Sequence, residues 1–201
     1  MERKLLERSL INEYLNSGAI KISREREKTL KYINILEKLF RCYKCTLRVF
    51  HPWPGSGSLD SKIFILGESP SPNRKVYDNF SEKSRKVFEA MLEALGLRRD
   101  NIYITNAVKC PLRRSSRREI EKYIDLCLEF LEEEINIVDP LAVILLGETA
   151  KKAIDKVLKK SNKRFFLIEL PHPMTVVYEH LSLEKYLNLV KQRCGLIKYL
   201  I

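Results

Sequence analysis

Lys62–Leu66 reads KIFIL, and the apolar run stops at once on Gly67-Glu-Ser-Pro-Ser-Pro-Asn73. A run this short, closed by glycine and proline, has the form of a buried strand. Three further segments share it: Asn101–Val108 (NIYITNAV), Ala142–Leu146 (AVILL) and Phe165–Leu170 (FFLIEL). Helical periodicity fills the intervals at about 82–95, 117–138 and 149–160, with a last helix near 182–192. Short buried strands alternating with helices predict an α/β fold, a mostly parallel sheet covered on both faces. Ligands of such sheets bind beyond the carboxyl ends of the strands. A site is therefore expected among Gly67–Asn73, Asn106–Arg114, Gly147–Thr149 and Pro171–Thr175.

The sequence ahead of this alternating region is different. Leu5, Leu6, Leu10, Ile11 and Tyr14 recur at helical spacing and stop near Asn16-Ser-Gly18. Ser23 is placed to cap a second helix, with Leu30, Ile33, Leu36 and Phe40 as its apolar stripe. Residues 1–40 thus read as a helical extension for packing or interaction, and 41–201 as the main unit. Between them HPWPGSG, His51–Gly57, is punctuated as a loop.

The chain has 201 residues, enough for one ordinary domain with a real core. Its 45% hydrophobic content excludes a disordered chain, and no run approaches the length of a membrane span. The N-terminus, MERKLLERSL, lacks an apolar signal region, so a cytosolic protein is expected. Lysine plus arginine exceeds aspartate plus glutamate by 37 to 26, a net charge of +11. A polyanion is the first partner to consider, with nucleic acid at the head of the list. The richness in Lys, Glu and Arg also resembles a thermophile composition.

At the strand ends, Glu68, Asn106 and His172 converge on one edge of the sheet. An acid, a donor–acceptor amide and an imidazole held between two prolines suit recognition of a flat polar group with charge stabilised beside it. Taken singly, Glu68 and Asn106 could cap turns, and His172 could be a surface histidine. Cys42 and Cys45 form a C-x2-C pair, and Cys110 and Cys127 lie farther apart. Four thiolates suit zinc or a [4Fe–4S] cluster. Cys127 shares a helical face with Ile120, Ile124 and Leu131 and could equally be a core thiol. Cys194 has no partner by pattern.

Together these residues resemble the iron–sulfur family 4 of the uracil-DNA glycosylase superfamily, from about Cys42 to Tyr178. Cys42-Tyr-Lys-Cys45-Thr-Leu is similar to that family's C-x-x-C-x-L. GESPS (Gly67–Ser71) stands where it has GEAPG, and ITNAVKC (Ile104–Cys110) is close to its ITN-x-VKC strand. VILLGETA (Val143–Ala150) resembles V-x-x-LG-x-TA, and HPMT (His172–Thr175) its HP motif. The resemblance implies a three-layer αβα sandwich on a four-stranded, mostly parallel sheet, and hydrolysis of the glycosidic bond of deoxyuridine in DNA. It implies a [4Fe–4S] cluster on Cys42, Cys45, Cys110 and Cys127.

Carried across residue by residue, His172 would face uracil O2 and Asn106 would read the base edge. Glu68 would position water or polarise the sugar, Ser69 would offer backbone donors, and Phe80 would stack on the flipped base. Phe80 could also be an ordinary core residue. Met174 and Thr175 open the segment that would enter the minor groove. Arg113, Arg114 and Arg117, with Arg118, would grip phosphates, or form a solvated charge run. The expected partner is DNA carrying uracil or another damaged base, met by a monomer, with a sliding clamp left open. The chain departs from the family at Ser71-Pro72, where the family has glycine, and in SPNRKVYDNFSEK, which replaces a PFVG signature. Those departures leave two alternatives: a glycosylase for another base such as hypoxanthine, or an inactive iron–sulfur DNA-binding relative.

Overall fold

The computed structural model describes residues 2–49, 52–72, 79–112 and 115–200, without the side chains of 2–7, 48, 49 and 198. Arg113, Arg114 and His51 lie outside the described residues.

The order of elements is α1 (Glu2–Asn16), β1 (Ile20–Lys21), α2 (Arg26–Phe40), β2 (Ser56–Ser58), β3 (Ile63–Gly67), α3 (Glu82–Ala94) and β4 (Tyr103–Asn106). There follow α4 (Arg117–Val138), β5 (Ala142–Leu146), α5 (Glu148–Lys160), β6 (Phe166–Leu170), α6 (Met174–Val177) and α7 (Leu183–Cys194). The strands form one sheet in the order β1-β2-β4-β3-β5-β6. All neighbours are parallel except β2 and β4.

The four expected strands are all present, but the sheet has six. Ser56–Ser58, read as loop from HPWPGSG, pairs with β4, and Ile20–Lys21 pairs with β2. Both added strands are two or three residues long, and one is only serine and glycine. Their partners hold them in the sheet, and a run so short carries no periodicity to read.

The sheet is covered on both faces because its strands alternate. Phe64, Leu66, Tyr103, Val143 and Leu145 join one apolar cluster with α1, α2, α4 and α5. Ile63, Ile65, Ile104, Ile144 and Leu146 join another with α3 and α7. Successive side chains of a strand point to opposite faces, so unbroken apolar runs such as AVILL serve both layers. Local chemistry sets the helix starts. Ser116 caps α4 and exchanges hydrogen bonds with Glu119, a capping box. Ser81 and Ser182 accept N–H bonds at the starts of α3 and α7.

The second N-terminal helix differs in detail from its expected form. Glu25, not Ser23, occupies the cap position, while the Ser23 hydroxyl accepts the Glu25 N–H and donates to Asp60 at 2.6 Å. The buried stripe is Tyr32, Ile35, Leu36, Leu39 and Phe40, and Leu30 is 55% exposed. Tyrosine supplies the reason, since its ring packs while its hydroxyl finds a buried partner. Tyr32 meets the hydroxyl of Tyr14 at 2.9 Å, and Tyr14 also donates to the Gly55 carbonyl. The hydroxyl of Tyr103 on β4 reaches Tyr32 at 3.4 Å. Burial pushes all three phenols well above their ordinary value, so they stay neutral.

Candidate active site

The carboxyl ends of β3 and β4 lie side by side, pairing Gly67 with Asn106. The chain beyond β3 is held there because the Gly67 and Glu68 carbonyls accept from the N–H groups of Ala107 and Val108. Glu68 thus leaves the sheet edge in fixed register with Asn106. Beyond β5, Gly147 adopts φ +89° and its N–H donates to the Leu170 carbonyl, bringing the end of β6 alongside. A Cβ on Gly147 would lie 3.3 Å from the His172 Cβ, so glycine lets PHPMT approach closely.

These ends enclose a cavity of about 300 Å³. Glu68, Ser69, Phe80, Asn106, His172 and Met174 line it, with Asn79 and Tyr178. The Asn106 amide is buried and donates from Nδ2 to Asn79 Oδ1 at 2.7 Å. Phe80 is buried and stacks on Phe88, with ring centroids 4.4 Å apart. Glu68 Oε2 accepts from the Thr149 hydroxyl at 2.5 Å.

His172 is half-buried, and its Nδ1 accepts the Met174 N–H at 3.1 Å. An accepting Nδ1 leaves the proton of the neutral ring on Nε2. Burial lowers the His172 pKa below 6.5, and the charge of Glu68 opposes that only in part. The arrangement therefore offers a neutral imidazole with an N–H donor. Thr175 has a different setting: its hydroxyl donates to the His172 carbonyl at 2.8 Å, closing the turn that carries the ring. Tyr178, just beyond α6, is 65% exposed.

Arg117, at the start of α4, is exposed and borders a second depression of about 460 Å³, of which Glu68 and Thr149 form part of the wall. The two hollows meet at Glu68.

Four of the cysteines meet in the larger apolar cluster, Cys110 and Cys127 buried and Cys42 and Cys45 packed half-exposed against it. Burial pushes the Cys127 thiol up to about 11; nearby Cys45 and Cys42 act in the same direction, and Lys109 opposes them. Among the described residues, no three His, Cys, Asp or Glu side chains are gathered so as to hold a single metal ion. An all-thiol set in apolar surroundings has the chemistry of cluster ligands.

Two residues beside the site were given no role by the sequence, Asn79 in the cavity and Thr149 in the second depression, although Thr149 closes the expected segment Gly147–Thr149. Asn79 stands beside Phe80 in a stretch without a motif, and only its contact with Asn106 marks it. Thr149 lies within VILLGETA, yet its link to Glu68 spans 81 positions. Lys109 gave no signal either: it is buried within VKC and paired with Glu134 at 2.7 Å.

Comparison with known proteins agrees with this geometry. Residues 54–192 match the uracil DNA glycosylase superfamily, a span containing every lining residue of the cavity. The chain is 35% identical over 125 residues to the type-4 uracil-DNA glycosylase of Sulfurisphaera tokodaii, covering 60% of this chain and 56% of that one. It is 32% identical over 123 residues to the type-4 enzyme of Pyrobaculum aerophilum, covering 59% and 61%. With the type-4 enzyme of Archaeoglobus fulgidus it shares 26% identity over 176 residues, covering 76% and 86%. The chain thus spans little more than half the length of the first two relatives. The superfamily match extends over more than half of the chain, and the strand ends build its cavity: the chain belongs to the uracil DNA glycosylase superfamily.

Proposed function

We propose that the protein is a monomeric DNA glycosylase that hydrolyses the N1–C1′ bond of deoxyuridine in DNA, releasing uracil and leaving an abasic site. One observation carries this reading: Asn106, His172, Glu68 and Phe80 line a single cavity at the carboxyl ends of the strands. A base must leave the duplex to enter it. Phe80, backed by Phe88, offers a face for stacking, and the Asn106 amide offers a donor and an acceptor to the base edge. As the glycosidic bond breaks, its electron pair passes to the base and negative charge collects on O2. The Nε2–H of neutral His172 meets that charge without itself gaining a proton. The sugar, left positive, takes a water at C1′, and the proton that water loses ends on the uracil anion; Glu68 orients the water and stabilises the cation. Thr149 holds the carboxylate in place.

Arg117 beside Glu68, with Arg113 and Arg114, grips backbone phosphates, and Met174, Thr175 and Tyr178 face the strand that lost its base. Cys42, Cys45, Cys110 and Cys127 would hold a [4Fe–4S] cluster. When bound it supplies rigidity to the loop after β4. Residues 1–40 extend the glycosylase unit, 41–201, and dock on it through Tyr14 and Tyr32. Among the described residues no helix is long and apolar enough to cross a membrane.

A single-turnover assay tests the reading: end-labelled DNA with one uracil, then alkali to cut abasic sites. Cleavage at uracil is expected, with a loss of about two orders of magnitude in His172→Ala and in Asn106→Ala. Absence of cleavage by folded, cluster-loaded protein overturns it. The Ser71-Pro72 wall of the cavity favours one alternative, a shifted base, so hypoxanthine-containing DNA belongs in the same assay.

A further inference from the structure

We propose that Asn79 is a positioning residue that fixes the orientation of the Asn106 amide and thereby sets the preference for uracil over cytosine. This rests on the uracil reading above.

Uracil presents an acceptor, O4, beside a donor, N3–H. Cytosine presents the reverse, an amino donor beside an acceptor N3. A side-chain amide can pair with either, because rotating it by half a turn exchanges its donor and acceptor. Asn106 alone therefore cannot discriminate; something must fix which end faces which way.

In this structure Asn106 Nδ2 donates to Asn79 Oδ1 at 2.7 Å, and Asn79 Nδ2 donates to Ser56 Oγ at 3.1 Å. All three side chains are buried. Turning Asn106 alone would set its oxygen against Asn79 Oδ1, leaving two buried acceptors facing each other without a proton. The orientation of the reading amide is thus shared with its neighbour. The Asn79 main chain is held in place, because its backbone carbonyl accepts the Ser71 N–H at 3.0 Å, and its amide keeps this orientation while the Ser56 hydroxyl accepts from it. On the other side the Asn106 oxygen lies against Gly67, where a Cβ would stand 2.7 Å from it. With Nδ2 committed through one hydrogen to Asn79, the second N–H and the oxygen remain for the base, and a uracil whose O4 faces Nδ2 pairs with both.

The experiment compares wild type, Asn79→Ala and Asn79→Asp. Binding is measured by fluorescence anisotropy to single-stranded DNA bearing one 2′-fluoro-2′-deoxyuridine, and to the same strand bearing 2′-fluoro-2′-deoxycytidine. The fluorine destabilises a positive sugar and blocks cleavage. Asn79→Ala frees the amide, and the uracil-to-cytosine affinity ratio is expected to fall about tenfold or more. Asn79→Asp keeps an acceptor towards Asn106, and the Ser56 hydroxyl can donate to its other oxygen. Its ratio is expected to stay within about threefold of wild type.

A ratio unchanged in Asn79→Ala overturns the proposal, because Asn106 would then orient itself. Equal loss in both variants also overturns it, because Asn79 would then be a packing residue. Failure of the uracil reading shows separately: wild type would neither cleave uracil DNA nor prefer the uracil strand, and both proposals would fall together.

Discussion

The backbone N–H of Met174 donates to Nδ1 of His172 at 3.1 Å, and this bond decides which ring nitrogen carries the proton. Protonating the ring would place a hydrogen on Nδ1, facing that N–H, and would break the turn's internal contact. Burial acts in the same direction by lowering the ring's pKa below 6.5. In the unfolded chain the ring titrates near 6.5, so between the folded value and 6.5 the unfolded state binds more protons. Stability from this group is fully present above 6.5 and declines as pH falls through that window. Uracil cleavage should be level above 6.5 and fall on the acid side with a midpoint below it. An NMR titration of the His172 ring gives the midpoint directly, and a value above 6.5 would contradict the tautomer assigned here.

Thr149 and Glu68 make a second prediction. Removing the hydroxyl in Thr149→Val leaves the carboxylate free to turn between the two hollows it borders. Single-turnover cleavage should fall about tenfold, the scale of a lost hydrogen bond to a charged group. Thr149→Ser should restore most of the rate.

Close approach at two glycines is open to the same assay. Gly67→Ala would press a methyl group to within 2.7 Å of the Asn106 oxygen, and Gly147→Ala would strain a residue at φ +89° against His172. Each should reduce cleavage by more than about tenfold, with a smaller relative effect on binding of undamaged DNA.

The buried Lys109–Glu134 pair predicts a stability effect apart from catalysis. Lys109 Nζ also donates to the Thr105 hydroxyl on β4 at 2.8 Å, so with its bond to Glu134 it ties β4 and the loop after it to helix α4. Lys109→Met strands a buried carboxylate and should cost about 3–5 kcal/mol in denaturant unfolding. The double variant with Glu134→Leu should recover much of that loss, since an apolar pair of similar size leaves no charge unpaired.

Cluster binding predicts a brown protein absorbing at about 400 nm. Serine at Cys110 or Cys127 should bleach it and lower the unfolding midpoint. Serine at Cys194, buried beside Tyr186 on the other face of the sheet, should leave the colour intact.

Much of this architecture was legible in the residues. AVILL is an observed strand to the residue, and the helix at 117–138 coincides with α4, because unbroken apolar runs and capping serines are local signals. Strands β1 and β2 were not legible, since their conformation comes from pairing with distant segments. The exposed Leu30 shows the same limit from the other direction. An apolar residue at helical spacing proposes a face, but a neighbouring tyrosine with a buried partner can claim it.

The sequence by itself determined the alternation of strands and helices, and hence which ends of the strands would carry chemistry. It also marked Glu68, Asn106 and His172 as the groups to watch. Only the tertiary structure decided what surrounds them: Thr149 on Glu68, Met174 on His172, and Asn79 with Ser56 behind Asn106. A residue type announces which bonds it is able to make. Which of them it makes depends on segments that meet only when the sheet is assembled, 27 positions apart for Asn79 and Asn106, and 81 for Glu68 and Thr149.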